Sequence, residues 1–181
     1  FNLAKGLATQ GHEVILYSML GDRNYENEMR DYNITIKNLG KSYCGLDDSQ
    51  GFSHRNIFNR ALGKIVGERN IYPGFEFYRM IKHCFKAEKE VDLLITIAFP
   101  HVILWAASKY LEILSRKCWI ADCGDPFMGN SFIKPRKIYE SFEKSWCEKV
   151  DFITVPVEDA ITAYYPEFRS IIEDAELIQD G

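Results

Sequence analysis

Asp92-Leu93-Leu94-Ile95-Thr96-Ile97 is a short run broken by only one polar residue after its first position. A strand with one wet face alternates apolar with polar residues. A nearly unbroken apolar run of this length is instead the pattern of a parallel strand covered on both faces. Phe99-Pro100-His101 then turns the chain, and Val102, Ala106, Tyr110 and Leu114 recur at helical spacing. Pro100 falls in or near the first turn, where its missing N–H costs nothing. Cys118-Trp119-Ile120-Ala121-Asp122 follows as a second apolar run. Strand, helix and strand in this order form a βαβ unit, whose crossover is right-handed.

The alternation extends in both directions from this unit. Downstream, Cys123 to Asn130 is rich in turn formers, Lys134 to Lys149 is a helix built on Ile138, Phe142 and Trp146, and Asp151 to Val155 is a strand. Pro156-Val157-Glu158-Asp159 opens a short helix that stops at Pro166, and Glu176 to Gln179 is a last strand before Asp180-Gly181. Upstream, Phe75 to Lys89 is a helix with Phe77, Met80, Ile81 and Phe85 on its apolar stripe, after the turn Tyr72-Pro73-Gly74. Arg55 to Val66 is an amphipathic basic helix, and Gly40 to Gly51 is a loop. Ile34 and Ile36 mark a half-buried strand from Asn33 to Asn38, and Val14 to Met19 is a buried one. An opening helix carrying Leu3, Ala4, Leu7 and Ala8 ends at Gly11. The predicted fold is therefore α/β and Rossmann-like, a mainly parallel sheet with helices on both faces, in a single domain over residues 1–181. No start signal precedes the opening helix, so a strand and loop are expected upstream of it.

Composition narrows the function classes. The 181 residues are 46% hydrophobic, enough for one well-filled core. With 22 basic and 26 acidic residues the net charge is -4, and no global positive field points to nucleic acid. Cys44, Cys84, Cys118, Cys123 and Cys147 form no Cys-x-x-Cys pair, and their odd number fits a reducing, cytoplasmic setting better than a disulfide framework. No run approaches the ~20 apolar residues of a membrane span, so a soluble or membrane-peripheral protein is expected. Gly-x-Gly-x-x-Gly, Walker, Gly-x-Ser-x-Gly and His-Glu-x-x-His motifs are absent from the sequence.

In parallel sheets ligands bind beyond the carboxyl ends of the strands, which directs attention to the residues after each one. His101 sits at a helix start, where a substrate oxygen or phosphate also meets free backbone N–H groups; the plainer alternative is a capping histidine. Asp122 and Asp125 bracket Gly124 in the turn after the second strand. They either accept hydrogen bonds from sugar hydroxyls and move protons, or order the turn through its own N–H groups. Neither an Asp-x-Asp pair nor an adjacent histidine accompanies them, and no metal is expected. Arg55, Arg60 and Lys64 either meet an anionic membrane surface or phosphate, or form an ordinary solvated face.

Four segments, in order, resemble one family. Leu3-Ala4-Lys5-Gly6-Leu7-Ala8-Thr9-Gln10-Gly11-His12-Glu13-Val14 is similar to the segment after the first glycine-rich loop of GT-B glycosyltransferases, above all the retaining class called family 4. Trp119-Ile120-Ala121-Asp122-Cys123-Gly124-Asp125-Pro126-Phe127 resembles a Trp-x-x-Asp-x-Arg-Asp-Pro-Trp strand and turn of that class, with Gly124 in place of the arginine. Lys144 to Val155 resembles its next helix and strand, with Val150 and Pro156 where the family has alanine and serine. Leu177-Ile178-Gln179-Asp180-Gly181 resembles the end of its N-terminal domain. The resemblance implies an acceptor-binding domain, with Phe99, Asp122 and Gly124 at the acceptor and His101 and Asp125 nearest the chemistry. It further implies a glycan or lipid-linked acceptor, and a nucleotide-sugar bound by a separate C-terminal domain, with no cofactor in this one. The chain alone is then expected to be inactive, and the whole enzyme to be cytoplasmic or peripheral at the inner face of the membrane. A GT-B nucleotide-sugar 2-epimerase and a non-catalytic α/β binding module are the alternatives.

Overall fold

The computed structural model describes residues 1–21, 25, 29–40, 74–124, 126–130 and 137–174. The predicted basic helix with Arg55, Arg60 and Lys64, most of the Gly40 to Gly51 loop, Asp125 and the strand predicted at 176–179 lie outside them. The chain divides into two compact units, Phe1–Glu68 and Arg69–Gly181.

In the first unit, helix α1 (Asn2–Thr9) ends as its sequence predicts. Gly11 takes φ 92°, the N–H of Gly11 bonds the Ala8 carbonyl at 3.0 Å and that of His12 the Leu7 carbonyl at 3.3 Å. This pair of bonds is a Schellman motif, which satisfies carbonyls that a helix end otherwise leaves open. Strands β1 (Val14–Ser18) and β2 (Ile34–Asn38) then pair in parallel, Val14 opposite Ile34. Asn38 closes their carboxyl end: its Oδ1 accepts from the Leu20 and Gly40 N–H groups at 3.2 and 2.9 Å, and its Nδ2 donates to the Gly21 carbonyl at 2.9 Å.

The second unit holds α2 (Gly74–Glu88), β3 (Glu90–Ile97), α3 (Val102–Tyr110), β4 (Ser115–Asp122), α4 (Lys137–Cys147), β5 (Phe152–Val155) and β6 (Ile172–Asp174). Its four strands are all parallel, in the order β3-β4-β5-β6. The architecture is α/β, with parallel sheets flanked by helices in a Rossmann-like arrangement. The apolar runs at 92–97 and 118–122 each grow at their amino ends, because Glu90 pairs with Ser115 before the hydrophobic residues begin. Two segments differ from their sequence pattern. The helix predicted to reach Leu114 tightens into a 3-10 turn at Leu111–Ile113, and the one predicted from Pro156 to Pro166 is a 3-10 helix, Glu158–Ala163, with a further 3-10 helix at Pro166–Ile171 that the sequence pattern does not signal. The first ends at Ala163, where Tyr164 is already extended, short of Pro166, whose fixed φ suits the start of the second.

The core lies on one face of this sheet. Trp119, Ala121, Ile153 and Val155 are buried there with Leu104, Trp105, Ala106 and Ala107 of α3 and Trp146 and Cys147 of α4. Trp119 is tied in as well as packed: its indole N–H donates to Thr96 Oγ1 at 2.9 Å, and its backbone N–H to Asp151 Oδ2 at 2.7 Å. The one polar residue in the apolar run is thus the acceptor for a buried donor on the next strand. On the alternate face Leu93, Ile97 and Phe152 remain 40%, 50% and 46% exposed, so the β3 run is not covered on both faces as its composition predicts.

The turn after β4 approaches the first 3-10 helix closely. A Cβ added at Gly129 would lie 2.5 Å from both the carbonyl oxygen and the Cβ of Ala163. Backbone cannot swing aside as a long side chain does, so Gly129→Ala should destabilise the protein by about 1–3 kcal/mol, as overpacking does. Urea unfolding monitored by tryptophan fluorescence checks this, and an unchanged midpoint would refute the close approach.

Candidate functional site

The carboxyl ends of β3, β4 and β5 are stitched together by Asp122. Its carbonyl accepts the Ala98 N–H at 2.8 Å, its Oδ1 accepts the Thr154 hydroxyl at 2.8 Å, and the next residue, Cys123, donates its N–H to the Thr154 carbonyl at 2.9 Å. Because side chains alternate along a strand, the neighbours of buried Ala121 and Val155 face the other way, and Asp122 and Thr154 share that face. The Asp122 carboxylate is partly exposed, with one oxygen engaged by Thr154 and the other bonded by no described residue.

Beyond β3 the chain presents Phe99, 85% exposed, and then His101. His101 occupies the N-cap position of α3 in a helical conformation (φ -55°, ψ -25°), and its side chain makes no capping bond. A capping side chain needs extended backbone to reach the N–H groups of the next turn, so the capping role open to a histidine there is not the one it plays. Its ring instead lies 5.1 Å from that of Phe127, tilted by 58°. Phe127 in turn meets Trp105 and Tyr139 edge-on, at 4.9 and 5.4 Å. Edge-to-face packing sets the positive rim of one ring against the negative face of the next, which fixes ring orientation more tightly than burial alone.

The structure therefore separates the residues that the strand-end rule gathers. Asp122 belongs with Thr154 on the more open face of the sheet, and His101 belongs with Phe127 and the aromatic residues of α3 and α4. Gly124 is exposed, and a Cβ there would meet nothing, so no close approach requires glycine at that point. Asp125 lies outside the described residues, as do Arg55, Arg60 and Lys64.

One polar residue here escapes the strand-end rule altogether. Glu143 of α4 is 2% exposed, and its Oε1 accepts the Met128 N–H at 3.2 Å. Burial pushes its pKa above the ordinary carboxylate value, and the backbone N–H groups of Met128 and Phe127 nearby pull against that rise. Cys123, Cys147 and Tyr164 share this interior; burial raises all three, Cys123 to about 12. They are protonated packing groups, and the two thiols therefore lack the thiolate that nucleophilic attack needs. A sequence signal for Glu143 does exist: it stands four residues after Tyr139 and three before Trp146, on the helix's own apolar stripe.

Among the described residues no three His, Cys, Asp or Glu side chains gather as a metal site, and no helix is long and apolar enough to cross a membrane. Compared with protein-family models, with curated proteins and with solved structures, the chain matches none.

Proposed function

We propose that this chain is the acceptor-binding domain of a glycosyltransferase, which receives a sugar from a nucleotide-sugar held by another domain and passes it to a glycan or lipid-linked acceptor. The observation that carries the reading is the pairing, at neighbouring strand tips, of an 85% exposed Phe99 with the Thr154-anchored carboxylate of Asp122. A sugar ring offers an apolar C–H face and a rim of hydroxyls. Phe99 suits the first and the open oxygen of Asp122 the second. The four segments resembling family 4 glycosyltransferases support the same reading, Asp122 standing at the aspartate that follows the tryptophan strand.

Titration of the protein with neutral oligosaccharides, followed by saturation-transfer NMR, tests this. A hydrogen bond to a charged group contributes about 1.5–3 kcal/mol, so Asp122→Asn should weaken saccharide binding roughly 10–100-fold. Equal affinity of wild type and Asp122→Asn, or no saccharide contact at Phe99, would remove the basis for an acceptor site at these tips.

A further inference from the structure

We propose that Glu143 is a positioning residue: from the middle of α4 its buried carboxylate holds the Phe127–Met128 backbone and thereby fixes Phe127 against His101. The geometry runs through three steps. Glu143 accepts the Met128 N–H at 3.2 Å, the amide of the peptide bond that joins Phe127 to Met128. That bond restrains the Phe127–Met128 peptide plane, and the direction of the Phe127 side chain is set with it. Phe127 then touches His101 at 5.1 Å, while Trp105 and Tyr139 bound it edge-on and restrict its rotation.

A carboxylate is well suited to this task. Its two oxygens both accept and carry charge, whereas glutamine offers one uncharged acceptor and a donor, a weaker partner for the Met128 amide. Among the described residues Glu143 makes no ion pair with a cation, and its interior neighbours Cys123, Cys147 and Tyr164 are protonated groups, so a charge-pairing role does not account for its burial. Its hydrogen bond to Met128 instead explains why a carboxylate occupies an apolar stripe between Tyr139 and Trp146, since a buried carboxylate without partners is strongly disfavoured.

The inference concerns ring placement and stands apart from the saccharide reading, which can fail without it. Glu143→Gln is isosteric and keeps the packing while halving the acceptors. In the NMR spectrum of the full chain, the His101 ring protons should move most of the way to their positions in Phe127→Ala, because the shielding by the Phe127 ring is lost. The Trp146 indole resonance, next on the same helix, should stay in place. His101 signals in Glu143→Gln that coincide with wild type would overturn the proposal. So would a shift of the Trp146 indole as large as that of His101, which would mark a general packing role. Should Glu143→Gln not fold, Met128→Pro removes the Met128 N–H while leaving the glutamate in place. Displacement of the His101 signals by that change supports the proposal, and unchanged signals refute it.

Discussion

Trp119→Ala should cost about 3–5 kcal/mol, the range for deleting a buried aromatic side chain, and lower the melting temperature by on the order of 10 °C. The residue is fully buried in β4, with Thr96 of β3 bonded to its indole and Asp151, at the entrance to β5, bonded to its backbone N–H. Removing the ring opens a void among close-packed neighbours and leaves the Thr96 hydroxyl without its donor. Trp119→Phe separates the two effects: most of the volume returns, the Thr96 bond does not, and a loss of about 1–2 kcal/mol is expected from that bond and the small residual gap. Chemical denaturation of both variants provides the check. A loss below 1 kcal/mol for the alanine variant would mean that β4 is not the centre of this core.

Trp119 also shows what local pattern conveys and what it does not. The strands β3, β4 and β5 were legible because each is a short apolar run bounded by Pro, Gly or Asp, and such runs have few other uses in a chain of alternating helices. The same pattern carried no information on which face would be covered. It predicted that Leu93 and Ile97 would be buried, and they are 40% and 50% exposed. Strand β6 had no comparable signal. Only Ile172 to Asp174 form it, directly after a 3-10 helix, and the pairing of Ile172 with Ile153 defines it. A strand that short exists because a neighbour offers its edge, a tertiary fact absent from the local sequence.

The site divides in the same way. Asp122 and His101 could be singled out as candidates because parallel sheets put ligands at strand ends, a rule that needs only the strand boundaries. The partners that orient them could not. Thr154 reads as an ordinary strand residue until the register sets it beside Asp122, and Phe127 reads as part of a turn until α3 brings His101 to its ring. Side-chain alternation then places Asp122 with Thr154 and leaves His101 with the aromatic cluster, a separation invisible to a rule that looks only along the chain.

Glu143→Ala is expected to cost about 1–3 kcal/mol, because the Met128 N–H loses its acceptor. Its pH dependence has a definite sign. Burial raises the Glu143 pKa in the folded protein above the value of about 4.3 for an exposed glutamate, so folding takes up protons in the window between the two values. The protonated side chain therefore favours the folded state fully below pH ~4.3, and that contribution is lost as the pH rises through the folded value. Glu143→Gln has no proton to lose. The stability of wild type relative to Glu143→Gln should accordingly be greatest in acid and fall as pH increases, levelling off once Glu143 is ionised in the folded state. Urea midpoints of the two proteins across this range measure the difference directly. A difference that grows with pH in favour of wild type would mean that the Phe127 and Met128 amides, rather than desolvation, dominate the carboxylate's environment, and that the charged form is the one the fold was built to hold.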